Sequence, residues 1–325
     1  MTILVLRFWL KARYSEYIGF ISYLIAELAN HWLPAQTGRS QMNYISVSLA
    51  FLLVVGCTSP NQIAISEEIV CGPIKNTQQF IDLAQTHILA FGELHGTNES
   101  LAIVKKVVCS IASEHAPLLV GIEADEQYSR DLNEALEPPF DANKVLAAAP
   151  GMWTVQDGRS STAMLEFLRA ISSWRAQGAD ITVFSFDHAS EDWSSPGLAF
   201  NSRDQGMAAN IDLVVRGNSD AVVVLTGGSH ARKVGFEVSD EAYSPMATLI
   251  KSRPVFSMEM AHLGGKAWLY TDSQDTHTPQ TGPRDIPASS EYCSNEQVFE
   301  YRIIDNGAYD GLYCVGKISP SLPPA

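Results

Sequence analysis

The sequence predicts an α/β fold: a central, mainly parallel sheet flanked by helices, with a helical insertion and an irregular C-terminal extension. Three observations carry this. Apolar runs rich in β-branched and aromatic residues recur at 87–92, 118–122, 181–186 and 221–226. Segments with helical spacing of apolar residues follow or precede them. Each run also ends in a polar side chain able to do chemistry: Glu93 with His95, Glu123, Asp187, and Gly227-Gly228-Ser229-His230. As parallel strands, the four runs deliver these residues to one carboxyl edge, the edge at which open α/β sheets bind ligands.

The elements follow in order. Glu99 to His115 carries apolar residues at Leu101, Ile103, Val104, Val107, Val108 and Ile111, a helical period, with Thr97 or Asn98 as N-cap and Pro117 beyond its end. With the strand at 118–122 this completes a βαβ unit. Residues 124–158 are broken by Pro138-Pro139 and Pro150-Gly151. They read as a helical insertion: either a lid or pocket wall offering Tyr128, Phe140, Met152 and Trp153 to a ligand, or packing decoration. Ser161 to Gln177 is an amphipathic helix, with Ser160 as expected N-cap and Gly178 at C′. A strand at 181–186, a helix over Ser202–Val215 closed by Gly217, and a strand at 221–226 complete the series. Beyond Gly235 the pattern loosens. Val255–Met260 and Ala267–Tyr270 are candidate strands, and the polar, Pro-rich stretch 271–291 is expected to be irregular.

The 325 residues divide into an N-terminal extension and signal segment at 1–57, a tether at 58–70, and one α/β domain at 71–325. Ile45 to Val55 is apolar apart from two serines, and Val54-Val55-Gly56-Cys57 resembles a bacterial lipobox. The run falls short of the about 20 residues of a membrane span and suits a signal h-region of roughly 7–15. Lipidation of Cys57 would anchor the domain in the cell envelope, facing the periplasm. Met42 is the expected start, although the nearest upstream cation is Arg39; the alternative is a genuine N-terminal membrane segment using Ile18–Ala29. Cys71, Cys109, Cys293 and Cys314 remain, an even number with three possible pairings in an oxidising compartment. Pairing Cys293 with Cys314 would staple the tail, and Cys71 with Cys109 would tie the N-terminal segment to the first helix; a buried free thiol is the alternative for Cys109. No CxxC spacing occurs, which argues against structural zinc. A formal charge of -14 with no basic cluster excludes nucleic acid as a partner.

Glu93 and His95 stand one residue apart, so an extended backbone turns both to one side. A carboxylate with an imidazole serves acid–base chemistry or makes part of a metal site. Gly92 and Gly96 flank the pair and permit close backbone approach. Glu123 alone could cap a helix or pair with an arginine, and His188 could replace Asp187 as the functional group. Arg159 and Arg203 each read as a cation at a helix start, where the macrodipole opposes it. A carboxylate or an anionic substrate would explain them, as would simple pairing with Asp157 or Asp204. No GxSxG, Walker A, GxGxxG or HExxH pattern occurs.

Gly92-Glu93-Leu94-His95-Gly96-Thr97-Asn98-Glu99, then Glu123, then Gly227-Gly228-Ser229-His230-Ala231 resemble the signature of the erythromycin esterase/ChaN/Tiki-like superfamily. The resemblance spans residues 87–260. Asp157-Gly158-Arg159-Ser160 and Arg203-Asp204 fit a bacterial subgroup of exported members. It implies an α/β core whose Glu/His set acts as base and electrostatic centre, or as metal ligands. Members include macrolide esterases, metal-dependent proteases and haem-binding lipoproteins. Carried over, Glu93, His95, Glu123 and His230 form the core, also the ligands if a divalent metal is used, with Arg159, Asp187 and Arg203 auxiliary. The expectation is therefore an exported, lipid-anchored hydrolase acting on an ester or peptide-type substrate. The alternative is a lipoprotein that binds haem or another iron compound.

Overall fold

Alternate residues along each central strand are apolar on both sides, which requires a sheet covered on both faces. The computed structural model has this form. It describes residues 69–72, 77–114, 116–154, 157–188, 196–238, 240–272, 279–289, 293, 298–300 and 307–324. The lipobox with Cys57, Met42 and the apolar stretches before them lie outside the described residues. Among the described residues no helix is long and apolar enough to cross a membrane.

In chain order the elements begin with α1 (Thr77–Thr86), β1 (Ile88–Glu93), α2 (Asn98–Ser113) and β2 (Leu118–Asp125). The insertion follows as a 3-10 turn at Glu126–Tyr128, then α3 (Ser129–Ala135), α4 (Ala142–Ala148) and α5 (Pro150–Thr154). The alternation resumes with α6 (Thr162–Ala176), β3 (Ile181–Asp187), α7 (Pro196–Val215) and β4 (Ala221–Gly227). Short elements come next: α8 (Gly228–Ala231), β5 (Phe236–Val238), β6 (Glu241–Tyr243) and α9 (Met246–Leu249). The chain ends with β7 (Val255–Ala261), β8 (Gly265–Asp272), β9 (Pro279–Ile286), β10 (Val298–Glu300) and β11 (Gly311–Cys314).

The main sheet runs β10-β11-β7-β1-β4-β2-β3. Every pairing is parallel except the antiparallel edge strand β10. Leu89 and Phe91 of β1 enter one core with α2 and α6, while Ile88 and Ala90 enter a second core with α7 and α9. β4 divides the same way, Val223 and Leu225 against Val222 and Val224. The domain is thus three layers, with the four predicted strands adjacent in the order β1-β4-β2-β3 and β3 at one edge.

Several elements differ from the sequence reading. The N-cap of α6 is Ser161, whose side chain accepts from Met164 N, and Ser160 instead donates to the Met152 carbonyl. α7 begins at Pro196, six residues earlier than expected, because proline suits the first turn of a helix. The insertion is helical, but Tyr128, Phe140, Met152 and Trp153 pack on the α2/α6 core rather than standing ready for a ligand. Part of the stretch expected to be irregular is β9, which pairs along its whole length with β8. Disulfides join Cys71 to Cys109 and Cys293 to Cys314.

A C-terminal strap crosses the carboxyl edge. Ser321 N donates to the Gly96 carbonyl (2.8 Å), and Thr162 N donates to the Leu322 carbonyl (2.7 Å). Asn98 Nδ2 reaches Ser319 Oγ and the Pro320 carbonyl, both at 3.1 Å, and Glu99 accepts from Ser319 N at 2.9 Å. The starts of α2 and α6 are thereby tied to the end of the chain.

Candidate active site

Parallel pairing of β1 with β4 sets Glu93 beside Gly227, and pairing of β2 with β4 sets Ile122 beside Leu225. Glu123 therefore lies level with Thr226. The β2/β3 register then shifts between Ile122 and Asp125, and Asp187 ends β3. Such an irregularity bends a strand and re-aims its side chains. Glu93, Glu123 and His230 are buried, and His95 keeps a fifth of its side chain exposed.

Glycines make the close approaches possible. A Cβ on Gly92 would lie 2.9 Å from Ala231 Cβ and 3.0 Å from Gly228 Cα, so only glycine lets α8 rest on β1. Gly96 has a positive φ of 75°, and its Cβ would lie 1.9 Å from the Trp268 carbonyl oxygen. The turn after β1 is fixed further by Gly96 N donating to the Gly158 carbonyl (3.0 Å), which draws in the loop bearing Arg159.

Glu93 Oε1 is 2.8 Å from His95 Nδ1. Nε2 of His95 faces Glu123, 3.7 Å from its Oε2, as an ion-pair partner across the site. Glu123 is the hub. Its Oε1 accepts from Arg203 Nη2 (2.7 Å) and Arg159 Nη1 (3.2 Å). Its Oε2 accepts from Thr226 Oγ1 (2.8 Å) and Gly227 N (2.7 Å). Arg203 also grips Asp187 through Nε (2.8 Å) and Nη2 (2.9 Å), and Arg159 Nη1 meets Asp187 at 2.6 Å. Asp157 completes the Arg159 side, accepting from its Nε at 2.8 Å.

His230 sits behind this hub. Its Nε2 accepts from Arg203 Nη1 (3.0 Å), and its Nδ1 lies 2.9 Å from both oxygens of Asp204. A nitrogen that accepts from a guanidinium carries no proton, so Nδ1 is the protonated nitrogen and Asp204 its acceptor. Asp204 is fully buried and also accepts from Met246 N (2.6 Å), while Tyr243 Oη stands 3.2 Å from His230 Nδ1.

Burial opposes charge on His95, but Glu123 and Glu93 outweigh it and raise the imidazole to about 10. Burial likewise disfavours the Glu123 carboxylate, yet His95 and Arg203 hold it well below the usual range. Both guanidiniums are pushed upward against their burial, Arg159 by Glu123 and Asp157, Arg203 by Glu123 and Asp187.

All seven sequence-predicted residues, Glu93, His95, Glu123, Arg159, Asp187, Arg203 and His230, meet at one place. His188 does not join them; its Nδ1 is 3.6 Å from Glu126 Oε1, and its ring is packed on Gly206. Arg203 lies inside α7 rather than at its start, so the macrodipole does not explain it; Glu123, Asp187 and His230 do. Asp204 entered the sequence reading only as a partner for an arginine and beside Arg203 in the family resemblance, not as the partner of His230, and Tyr243 escaped it. Asp204 stands three and four residues before Met207 and Ala208, on the apolar face of α7, and a carboxylate at a core position is a readable sign of a buried partner. Tyr243 left no such sign.

The conditional metal set of Glu93, His95, Glu123 and His230 does not fit a divalent cation. Both oxygens of Glu123 are occupied by donors, two of them cationic, and both nitrogens of His230 are committed. Among the described residues no group of three or more His, Cys, Asp or Glu is disposed to hold a metal ion.

No protein-family model matches the chain, and no curated protein matches it in sequence. Solved structures do. An erythromycin esterase mutant in its open conformation aligns at TM-score 0.58 and 12% identity, over 75% of this chain and 94% of that one. The chain has the erythromycin esterase fold. A Bacillus cereus protein also shares the fold, at TM-score 0.52 and 11% identity, covering 77% of this chain and 100% of its own. Cofacial haem-binding ChaN of Campylobacter jejuni aligns at TM-score 0.43 and 12% identity, over 57% of this chain and 86% of that one.

In this esterase-like fold Gly227 forms the floor beneath His95: a Cβ there would lie 3.0 Å from His95 Nε2 and 3.7 Å from Glu123 Oε2. Its φ of -59° and ψ of 147° are open to any residue, so alanine introduces no backbone strain. If the site turns over a substrate, Gly227→Ala is expected to lower kcat/KM roughly 10²-fold, because the added methyl displaces the His95 imidazole, with the melting temperature little changed. Steady-state kinetics beside thermal unfolding check this; wild-type turnover would remove Gly227 from the floor.

Proposed function

We propose that the protein is a hydrolase of ester substrates in which His95 is the general base and Glu93 orients it. The observation that carries the reading is the Glu93–His95 pair: Nδ1 is held by a buried carboxylate at 2.8 Å, and Nε2, facing Glu123 at 3.7 Å, takes a proton from water in the deprotonated fraction of the imidazole. Glu123, held by Arg159 and Arg203, stabilises the imidazolium once that proton has been taken. His230 acts through Arg203, fixing the guanidinium that aligns Glu123. Among the described residues no side chain in the site has the arrangement of an activated serine or cysteine nucleophile, so water is the attacking group at the ester carbonyl. The imidazolium then returns the proton to the leaving alcohol, and acid and alcohol are released. A fold shared with an esterase agrees with this reading without deciding it.

Lipidation at Cys57 and residence on the periplasmic face of a membrane belong to the same proposal, supported by the lipobox-like Val54-Val55-Gly56-Cys57 and by two disulfides.

The pH dependence tests the base role. With His95 raised to about 10, its proton-accepting form is scarce at neutral pH and grows about tenfold per pH unit below that value. The kcat/KM for an ester such as p-nitrophenyl acetate is expected to climb from pH 7 towards pH 10 after subtraction of alkaline background hydrolysis. A flat or falling profile would overturn His95 as base. Haem titration supplies a separate check on the binding-protein alternative, since a Soret band lost in His95→Ala would favour that alternative.

A further inference from the structure

β3 is the last strand of the main sheet, so among the described residues one of its two hydrogen-bonding edges has no strand beside it. Alternate residues turn both N–H and C=O to that side, and in β3 these are Ile181, Val183 and Ser185. The segment Ile181-Thr182-Val183-Phe184-Ser185-Phe186 is uncharged, free of proline and rich in β-branched and aromatic residues. An open edge of this composition is a template for pairing with another chain.

Side chains close the edge. Asn133 Oδ1 accepts from Val183 N (3.0 Å), and Asn133 Nδ2 donates to the Val183 carbonyl. Ser129 Oγ accepts from Ser185 N (2.9 Å) and reaches the Ser185 carbonyl at 3.2 Å. Arg175 of α6 takes the third position: its Nε donates to the Ile181 carbonyl (2.9 Å) and its Nη1 to the Asn133 carbonyl (3.0 Å). The spacing explains the fit. Four residues of helix rise about 6 Å and two residues of strand about 6.6 Å. Side chains four apart on α3 therefore meet amides two apart on β3.

We infer that β3 is a latent self-association edge, held shut by Ser129 and Asn133 of α3 with Arg175, and that the partner excluded is a second copy of this chain. An open strand edge is complementary to its own copy laid antiparallel about a two-fold axis, each outward N–H finding the other's C=O. The insertion thus has a task apart from the reaction, and this inference stands independently of the hydrolase reading. α3 also steadies the strand that delivers Asp187 to Arg159 and Arg203.

The test compares the full chain with Ser129→Ala, Asn133→Ala and the double variant, by amide hydrogen exchange and by sedimentation velocity over a range of concentrations. In dilute wild type the Val183 and Ser185 amides are expected to be protected. Asn133→Ala should speed exchange selectively at Val183 and Ser129→Ala selectively at Ser185, each about tenfold, the worth of one hydrogen bond. The double variant should associate beyond the wild type as concentration rises, with both amides regaining protection in the associated species. Unprotected amides in the wild type overturn the inference, as does a folded double variant that sediments like the wild type at every concentration. If the double variant does not fold, the single variants decide. Selective exchange with added association upholds the inference; exchange raised evenly across the sheet, or no added association, overturns it.

Discussion

Replacing His95 by alanine is expected to lower kcat for an activated ester by about 10²–10⁴-fold, the span general-base catalysis ordinarily contributes. The substitution removes the imidazole nitrogen that faces Glu123, while Arg159, Arg203, Thr226 and Gly227 continue to hold Glu123. The fold should therefore survive, and circular dichroism with thermal unfolding separates lost chemistry from lost structure. Turnover within threefold of wild type, in protein that is folded, would remove His95 from the reaction. Glu93→Gln is the informative companion, since its amide can still reach Nδ1 but cannot stabilise the imidazolium as a carboxylate does.

Glu123→Ala is expected to be the most destabilising single change in the site. It deletes the acceptor of four hydrogen bonds and leaves two largely buried guanidiniums with Asp187 and Asp157 as their remaining counter-charges. Breaking a buried charged cluster in this way costs about 3–5 kcal/mol, which for a domain of this size lowers Tm on the order of 10 °C. Glu123→Gln, which keeps two acceptor lone pairs, should lose less. The pH dependence has a definite sign. The Glu123 carboxyl is held well below its ordinary 4.5, so its contribution is fully present above that pH and is lost as acidity reaches the depressed native value. The wild type should thus lose stability on acidification more steeply than Glu123→Gln. Equal melting temperatures for wild type and Glu123→Ala would show that the hub carries no such weight.

Much of this site was legible because the strands that build it are buried on both faces. Such strands must be continuous apolar runs, and each run stops where a side chain leaves the core, so the last polar residue marks the carboxyl edge. The β1, β2, β3 and β4 runs all obeyed this. The strands that escaped notice do not. β9 reads Pro-Gln-Thr-Gly-Pro-Arg-Asp-Ile because it pairs only with β8 in a two-stranded hairpin, and nothing compels its residues to be apolar. β11 is four residues long, too short for periodicity to register. Arg203 was placed at a helix start because the helix was read from Ser202, whereas it begins at Pro196, a residue welcome in a first turn. Tyr243 was invisible because its role depends on a hairpin folding back over α7, a tertiary event with no local signature.

The C-terminal strap sets a condition on when the protein can work. The loop that presents His95 is pinned by Ser321 N on the Gly96 carbonyl, and the starts of α2 and α6 are pinned by residues 319–322. A ribosome adds about 5–20 residues per second, so more than 200 residues and roughly 10–50 s separate synthesis of the loop from synthesis of its clasp. A nascent chain can pair β1 to β4 and still lack the clasp on the loop that bears His95.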